Sequence, residues 1–243
     1  VYSTAWSSDG QQIVTGSYDQ TVKVWDAKTG KELFTLKGHD GPVGSAMYSP
    51  DGHRIVASYQ KTAKMWDANT GQELITLKGR DHMVTSAAYS ADSARIVTAS
   101  LDSTAKVWEA VTGKELMTLK GHEGEVTSAF YSPDGKRVVT GGRDKTAKVW
   151  DANTGQELIT LKGHEDGVRS AAYSPDGDRI VTASEDQTAK VWDAQTGTEL
   201  MTLTGHESSV ISAAYSPDGQ RIVTASEDQT AKVWDAVTGK ELM

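Results

Sequence analysis

The sequence predicts an all-β fold of six four-stranded antiparallel sheets, and three observations lead to this prediction. Six tryptophans recur along the 243 residues at separations of 41, 42, 42, 42 and 42, which indicates an internal repeat. Each copy contains four short runs rich in Val, Ile, Thr and Tyr, separated by turn residues. No segment has the apolar periodicity of a helix of ten or more residues.

The valine that opens each copy sets the boundaries of the predicted sheets. Composition does not change along the chain and no linker interrupts it, so we expect a single domain, 1–243. Residues 168–201 and 210–243 differ at only four of 34 positions. The predicted sheets span residues 1–42, 43–83, 84–125, 126–167, 168–209 and 210–243.

The fifth copy shows how each strand is predicted. Ser-Pro-Asp-Gly at 174–177 fixes φ at the proline and supplies a glycine for a positive φ, so it separates the first two strands. Glu-Asp-Gln and then Thr-Gly mark the next two turns. The predicted strands are Val168–Ser174, Arg179–Ser184, Thr188–Asp193 and Glu199–Leu203.

Small and large apolar residues alternate in these strands, so both faces of each sheet are predicted to be buried. A single meander of this size cannot bury two faces. Copies stacked around an axis can, and they leave only short exposed edges. The predicted fold class is therefore a β-propeller of six four-stranded antiparallel blades. The sequence leaves open whether six blades close a ring, and an open ring would offer its terminal blades for self-association.

Two dipeptides recur in phase with the repeat. Gly-His occurs at 38–39, 121–122, 163–164 and 205–206, and Trp-Asp at 25–26, 66–67, 150–151, 192–193 and 234–235. With these pairs the whole chain resembles WD40-repeat β-propellers. The near-identical copies are most similar to bacterial tandem arrays, or to a regularised or designed propeller. The resemblance implies a non-catalytic scaffold or sensor module that binds proteins or peptides.

A His, a Ser and an Asp recur in most copies, which could suggest nucleophilic catalysis. The trio repeats with a Trp in step, however, whereas an enzyme needs one convergent site. The WD40 resemblance implies a structural tetrad of Trp, Ser or Thr, His and Asp, and no catalytic residue. The complete tetrads are predicted to be His164, Ser184, Asp186 and Trp192, and then His206, Ser226, Asp228 and Trp234.

The earlier copies depart from the tetrad pattern. Gln60 replaces the Asp in the second copy, and Gly142 replaces the Ser in the fourth. Arg80 stands where the third copy needs a histidine, and it can pair with Asp102 instead. We therefore expect the N-terminal half to be the less stable half.

Composition excludes several other functions. The net charge of −8 argues against a nucleic-acid-binding surface, and no apolar run is long enough to span a membrane. Without cysteine, thiolate metal sites and cysteine nucleophiles are excluded. We expect no cofactor, no metal and a cytoplasmic protein.

Positions that differ between copies are where a specific partner could be recognised. They are the residue after each opening valine, the residue before each tetrad Asp or its substitute, and the loop after Gly-His. By propeller geometry all three are expected on one face, at the mouth of the channel. The candidate partner-binding residues are Tyr2, Tyr18, Tyr59, Met83, Leu101, Arg143 and Arg169. Near-identical copies favour an alternative, a structural, designed or recently amplified array without an evolved ligand.

Overall fold

The computed structural model describes residues 1–38, 41–80 and 82–243. It divides into two compact units, Val1–Thr118 and Leu119–Met243. Within the described ranges the ordered elements are all β-strands.

Each of the first three sheets is a meander of four strands. Sheet 1 comprises β1 (Ser3–Trp6), β2 (Gln12–Gly16), β3 (Val22–Asp26) and β4 (Glu32–Leu36). Sheet 2 comprises β5 (Val43–Tyr48), β6 (Arg54–Tyr59), β7 (Thr62–Asp67) and β8 (Glu73–Leu77). Sheet 3 comprises β9 (Val84–Tyr89), β10 (Arg95–Ser100), β11 (Thr104–Glu109) and β12 (Glu115–Lys120).

The remaining sheets follow the same order. Sheet 4 comprises β13 (Val126–Tyr131), β14 (Arg137–Gly142), β15 (Thr146–Asp151) and β16 (Glu157–Lys162). Sheet 5 comprises β17 (Val168–Tyr173), β18 (Arg179–Ser184), β19 (Ala189–Asp193) and β20 (Glu199–Leu203). Sheet 6 comprises β21 (Val210–Tyr215), β22 (Arg221–Ser226) and β23 (Ala231–Asp235).

Neighbouring strands in the sequence are neighbours in each sheet, and the strand pairs are antiparallel. The predicted fold class, an all-β propeller of small antiparallel sheets, is confirmed. Sheet 6 differs in having three strands, with one isolated bridge between Trp234 and Glu241. The counterpart of β20 would need residues 241–245, and the sequence supplies only 241–243.

A β-bulge recurs where the first strand of a sheet begins. In sheet 5, Val168 pairs with Ser184 and Ser170 with Ala183, so Arg169 is the extra residue. The same register shift occurs at the start of β5, β9, β13 and β21. Bulges often re-aim a side chain near a functional site. Here the bulged residue is the variable one that follows each opening valine.

Apolar side chains from adjacent sheets form the core of each unit. In the N-terminal unit, one cluster joins sheet 1 to sheet 2 around Trp66, and another joins sheet 2 to sheet 3 around Trp108. In the C-terminal unit, the clusters around Trp192 and Trp234 join sheets 4 and 5 and sheets 5 and 6. Sheets 2 and 5, which have a neighbour on each side within their unit, are therefore buried on both faces, as the strand composition predicts.

Candidate functional site

The variable positions lie together at one end of each sheet. We call this the variable end: it holds the turn between the second and third strands and the start of the first strand. Backbone hydrogen bonds of 2.9 Å join the two places, from Leu101 N–H to the Met83 carbonyl and from Arg143 N–H to the Glu125 carbonyl. Residues that vary between copies are thus neighbours in space within each sheet.

The variable end of sheet 1 carries an exposed aromatic pair. The Tyr2 and Tyr18 rings lie 5.9 Å apart between centroids, tilted by 57°. Each tyrosine is 66% exposed. In sheet 3, Met83 is 46% exposed beside the half-buried Leu101. Four of the five candidate residues in the N-terminal unit are therefore accessible to a partner.

Tyr59 differs from its expected position, because it is buried at 7% exposure. It pairs with Val43 in the way that Ser184 pairs with Val168, so it ends strand β6 and does not lie in the turn. The second copy is one residue shorter, and the structure places the shortening after Tyr59. Tyr59 is a buried strand residue, and Lys64 Nζ lies 5.8 Å from the centroid of its ring. Tyr59 therefore cannot anchor a partner.

The two arginines of the C-terminal unit are engaged in ion pairs. Arg143 Nε lies 3.0 Å from Glu125 Oε2, and Arg169 Nη1 lies 3.1 Å from Glu185 Oε1. Both glutamates occupy other positions of the variable end. A carboxylate or phosphate from a partner would compete with these glutamates for the two guanidinium groups.

A hydrogen-bonded chain of side chains runs through sheet 5. Trp192 Nε1 donates to Thr182 Oγ1 at 2.8 Å, and His164 Nε2 lies 2.7 Å from the same oxygen. His164 Nδ1 lies 2.7 Å from Asp186 Oδ2, and the backbone N–H of Glu165 also donates to that oxygen. The network ties β18, β19, their turn and the loop before β17 together.

The hydroxyl that joins the two rings belongs to Thr182, whereas Ser184 was expected. Ser184 Oγ donates to the Asp166 carbonyl at 3.0 Å and accepts from the Asp186 backbone N–H. Ser226 does the same in sheet 6, where Thr224 bonds both Trp234 and His206. His206 in turn lies 2.7 Å from Asp228. The serines close the turn, and the threonines complete the network.

The other sheets show what the network tolerates. In sheet 4, His122, Thr140, Asp144 and Trp150 reproduce it, although Gly142 stands at the serine position. In sheet 2, Ala57 stands at the threonine position, and His39 lies outside the described residues.

Sheet 3 replaces the histidine with Arg80, as expected. Arg80 Nη1 bonds both Asp102 carboxylate oxygens at 3.0 Å, and Nη2 bonds the carbonyl and hydroxyl oxygens of Thr98. The guanidinium therefore occupies the place of the imidazole. The expected pairing of Arg80 with Asp102 is confirmed.

Burial governs the charge of the network histidines. It lowers the pKa of His164 and of His122 below the ordinary 6.5, against the opposing effect of Asp186 and Asp144. Burial also acts to raise the pKa of Asp186, but hydrogen bonds from Thr188 and His164 outweigh it and lower that pKa. A neutral imidazole that donates from Nδ1 to Asp186 and accepts at Nε2 from Thr182 satisfies every partner.

The lowered histidine pKa values make stability depend on pH. Below about pH 6.5 the unfolded chain binds protons that the folded chain excludes, so the free energy of unfolding falls as pH falls. We expect the wild type to have a lower urea midpoint at about pH 5.5 than at about pH 7.5, which lie on either side of the ordinary histidine pKa. The substitutions His122→Gln and His164→Gln should each make the urea midpoint depend less on pH. Stability that rises on acidification over this range would contradict the neutral assignment.

The network has the geometry of a structural element. The His164 side chain is 2% exposed, and both ring nitrogens are already bonded. A general base needs a nitrogen within reach of a substrate proton. No group of three or more His, Cys, Asp or Glu residues that could hold a metal occurs in the described part of the chain. Nor does that part contain a helix able to cross a membrane.

Comparison with known proteins gives a repeated match to one family. The model of the "WD domain, G-beta repeat" family matches residues 1–26, 30–67, 71–109, 113–151, 155–193 and 197–235. A segment of 52 residues is 50% identical to the human peroxisomal targeting signal 2 receptor, covering 21% of this chain and 16% of the receptor. Another of 47 residues is 43% identical to dynein assembly factor with WD repeat domains 1 of Xenopus laevis, covering 19% of this chain and 11% of that protein. These alignments span less than a fifth of either relative.

Proposed function

Because the chain belongs to the WD40 repeat family, we propose that it is a non-catalytic scaffold or sensor module that binds a protein or peptide at the variable end of its sheets. The proposal includes a cytoplasmic location and no part in binding nucleic acid or membranes. One relative is named as a receptor for a targeting signal and another as an assembly factor. These names favour recognition of other proteins as the common role.

The exposed Tyr2 and Tyr18 pair is the observation that carries the proposal. Tyrosine is enriched at protein interfaces and among the residues that dominate binding energy. The counterparts of Tyr18 in sheets 3 to 6 are Leu101, Arg143, Glu185 and Glu227, so none of these four copies presents the same chemistry. A framework of repeated strands holds this pair in place.

The pair favours a partner with an apolar or aromatic anchor. Tyr2 and Tyr18 supply apolar ring faces and phenol groups that can donate hydrogen bonds. Arg143 and Arg169 are paired with Glu125 and Glu185, so a partner's anionic group would compete with those glutamates. We therefore place the primary contact on sheet 1 and treat the arginine pairs as secondary contacts.

Selection from a random-peptide display library tests the proposal. Peptides enriched on the wild-type chain should bind the Tyr2→Ser, Tyr18→Ser double variant at least about tenfold more weakly, because one lost anchor typically costs over 1 kcal/mol. Isothermal titration calorimetry measures the difference. The matched control is Val111→Ser, which changes a residue that is 69% exposed in the turn between β11 and β12, at the opposite end of its sheet.

Each outcome decides between the two functions. Loss of affinity in the tyrosine variant but not in Val111→Ser supports recognition at the variable end. Enriched peptides that bind the tyrosine variant with unchanged affinity place recognition elsewhere. A library that yields no specific peptide supports the alternative of a structural array without a ligand.

A further inference from the structure

A groove lies between sheets 5 and 6, at the end of these sheets away from the variable end. We call this the opposite end: it holds the turns between the first and second strands and between the third and fourth strands. The groove has a volume of about 500 Å³, and ligand sites commonly have volumes of about 300–1,000 Å³. Its walls include Asp176, Asp178 and Leu200 of sheet 5 and Tyr215 and Val237 of sheet 6. Both sheets belong to the C-terminal unit.

Negative charge predominates in this groove. Asp176, Asp178 and Asp193 line it together with one cationic residue, Arg179. The Arg179 guanidinium donates from Nη1 to the Ala236 carbonyl at 2.7 Å. Within the part of the chain that the structure describes, none of the three carboxylates forms an ion pair. The groove therefore offers more negative charge than its own residues compensate.

Local hydrogen bonds keep two of these carboxyl groups ionised. Bonds from the Ser174 hydroxyl and the Asp178 backbone N–H lower the pKa of Asp176. Bonds from the backbone N–H and the hydroxyl of Thr196 lower the pKa of Asp193. In each case the bonds reach Oδ1, and the second oxygen makes no hydrogen bond to any described residue. Each of these two carboxylates can therefore still accept a bond from a ligand.

The copy before this one places a lysine where the groove has an aspartate. Lys136 is the counterpart of Asp178 in sheet 4. Its Nζ lies 3.9 Å from Oδ2 of Asp134, which is the counterpart of Asp176. An ammonium group at this place can thus approach the carboxylate, and sheet 5 lacks that group. A cation from a partner would supply it.

The groove also contains positions at which the most similar copies differ. Residues 168–201 and 210–243 differ at four positions, and two of these supply Asp178, Gln220 and Val237 to the groove. Val237 is 65% exposed and Leu200 is 45% exposed, so apolar surface lies beside the carboxylates. The counterpart of Val237 in sheet 5 is the polar Gln195. The contact between sheets 4 and 5 therefore lacks this combination of acidic and apolar groups.

We propose that the groove between sheets 5 and 6 binds a basic and apolar peptide segment of a partner protein. A lysine or arginine side chain would lie among Asp176, Asp178 and Asp193, and a neighbouring apolar side chain would cover Val237 and Leu200. Charge complementarity is the argument for this occupant, and the apolar stems of lysine and arginine suit walls of mixed polarity. The net charge of −8 would also attract a basic partner. The groove adds a second binding surface to the variable end.

Fluorescence anisotropy with a synthetic peptide that alternates lysine and leucine tests the proposal. The wild type should bind one peptide per chain, and the same peptide with glutamate in place of lysine should not bind. Asp178→Lys should weaken binding at least about tenfold, because it replaces attraction with repulsion, and Val237→Gln at least about threefold, because it removes apolar contact. Both variants carry residues that other copies have at these positions, so both should fold.

Two control variants separate the groove from other sources of affinity. Glu227→Lys makes the same change of charge at an exposed residue of the variable end of sheet 6. It should leave the affinity unchanged at about 0.15 M salt, where exposed charges more than about 8 Å apart are largely screened. The Tyr2→Ser, Tyr18→Ser variant should also bind this peptide as the wild type does, because both tyrosines belong to the N-terminal unit. Failure of the groove would thus leave the function proposed for the variable end untouched.

A gain-of-function variant gives the sharpest test. Lys136→Asp combined with Gln195→Val places the acidic and apolar residues of the groove between sheets 4 and 5, so it should bind two peptides per chain. A wild type that binds no peptide overturns the proposal. So does equal affinity of Asp178→Lys and Glu227→Lys, which would show that binding follows the net charge of the chain. A double variant that still binds one peptide contradicts the assignment of the site to these residues.

Discussion

Trp192→Ala is expected to lower the free energy of unfolding by about 3–5 kcal/mol, because it leaves a large cavity between sheets 4 and 5. Trp192 is 1% exposed, and its Nε1–H is bonded to Thr182. The substitution removes both the packing and the bond. Urea denaturation followed by circular dichroism measures the change.

Trp6→Ala and Trp25→Ala are the matched controls for this substitution. Trp6 is 62% exposed, so its removal should change the free energy of unfolding by less than about 0.5 kcal/mol. The half-buried Trp25 should give an intermediate loss. Equal losses for Trp6, Trp25 and Trp192 would show that burial in the sheet core does not govern stability.

Arg80→Ala is expected to cost about 3 kcal/mol, the lower range for breaking a buried ion pair. The Arg80 side chain is 1% exposed and that of Asp102 is 18% exposed, so removal of the guanidinium leaves the carboxylate partly buried and poorly compensated. Burial acts to raise the pKa of Asp102, but Thr104 and Arg80 outweigh it and hold that pKa below its ordinary value. Without Arg80, stability should therefore fall more at neutral pH than near pH 4.

The substitution Arg80→His is the control for Arg80→Ala, because it can restore the hydrogen bonds that the alanine removes. A histidine here can bond Thr98 and Asp102 as His164 bonds Thr182 and Asp186. We expect it to remain within about 1 kcal/mol of the wild type at pH 7.5, as for a replaced hydrogen bond. If Arg80→His is as unstable as Arg80→Ala, the arginine has a role that the network pattern does not describe.

The sequence predicts the fold well because the repeat makes each strand visible six times. The predicted Arg179–Ser184 and Glu199–Leu203 coincide with β18 and β20. The repeat does not distinguish Thr182 from Ser184 as the residue whose hydroxyl joins the two rings, because both residues recur at the same period. Register separates them: Trp192 pairs with Ile180, so Thr182 is two residues away and Ser184 four, about 7 and 13 Å along the strand.

The candidate binding residues were harder to predict, because exposure depends on placement. A one-residue deletion can be aligned on either side of Tyr59, and only the pairing with Val43 shows that this residue lies in the strand. The ion pairs of Arg143 and Arg169 had a signal in the sequence, since Glu125 and Glu185 occupy other variable positions. No signal in the sequence indicates that Trp6 is exposed, because its counterparts in the other copies are buried or half-buried tyrosines.

The central claim is that partners bind at the variable end of the sheets while the buried network only supports them. Amide hydrogen exchange, measured with and without a selected peptide, tests it most directly. We predict that the peptide slows exchange at Tyr2 and in the turn 17–21, with no local change in the turn 27–31 at the opposite end of sheet 1. Protection confined to 27–31, or to the loop around His164, would contradict the claim.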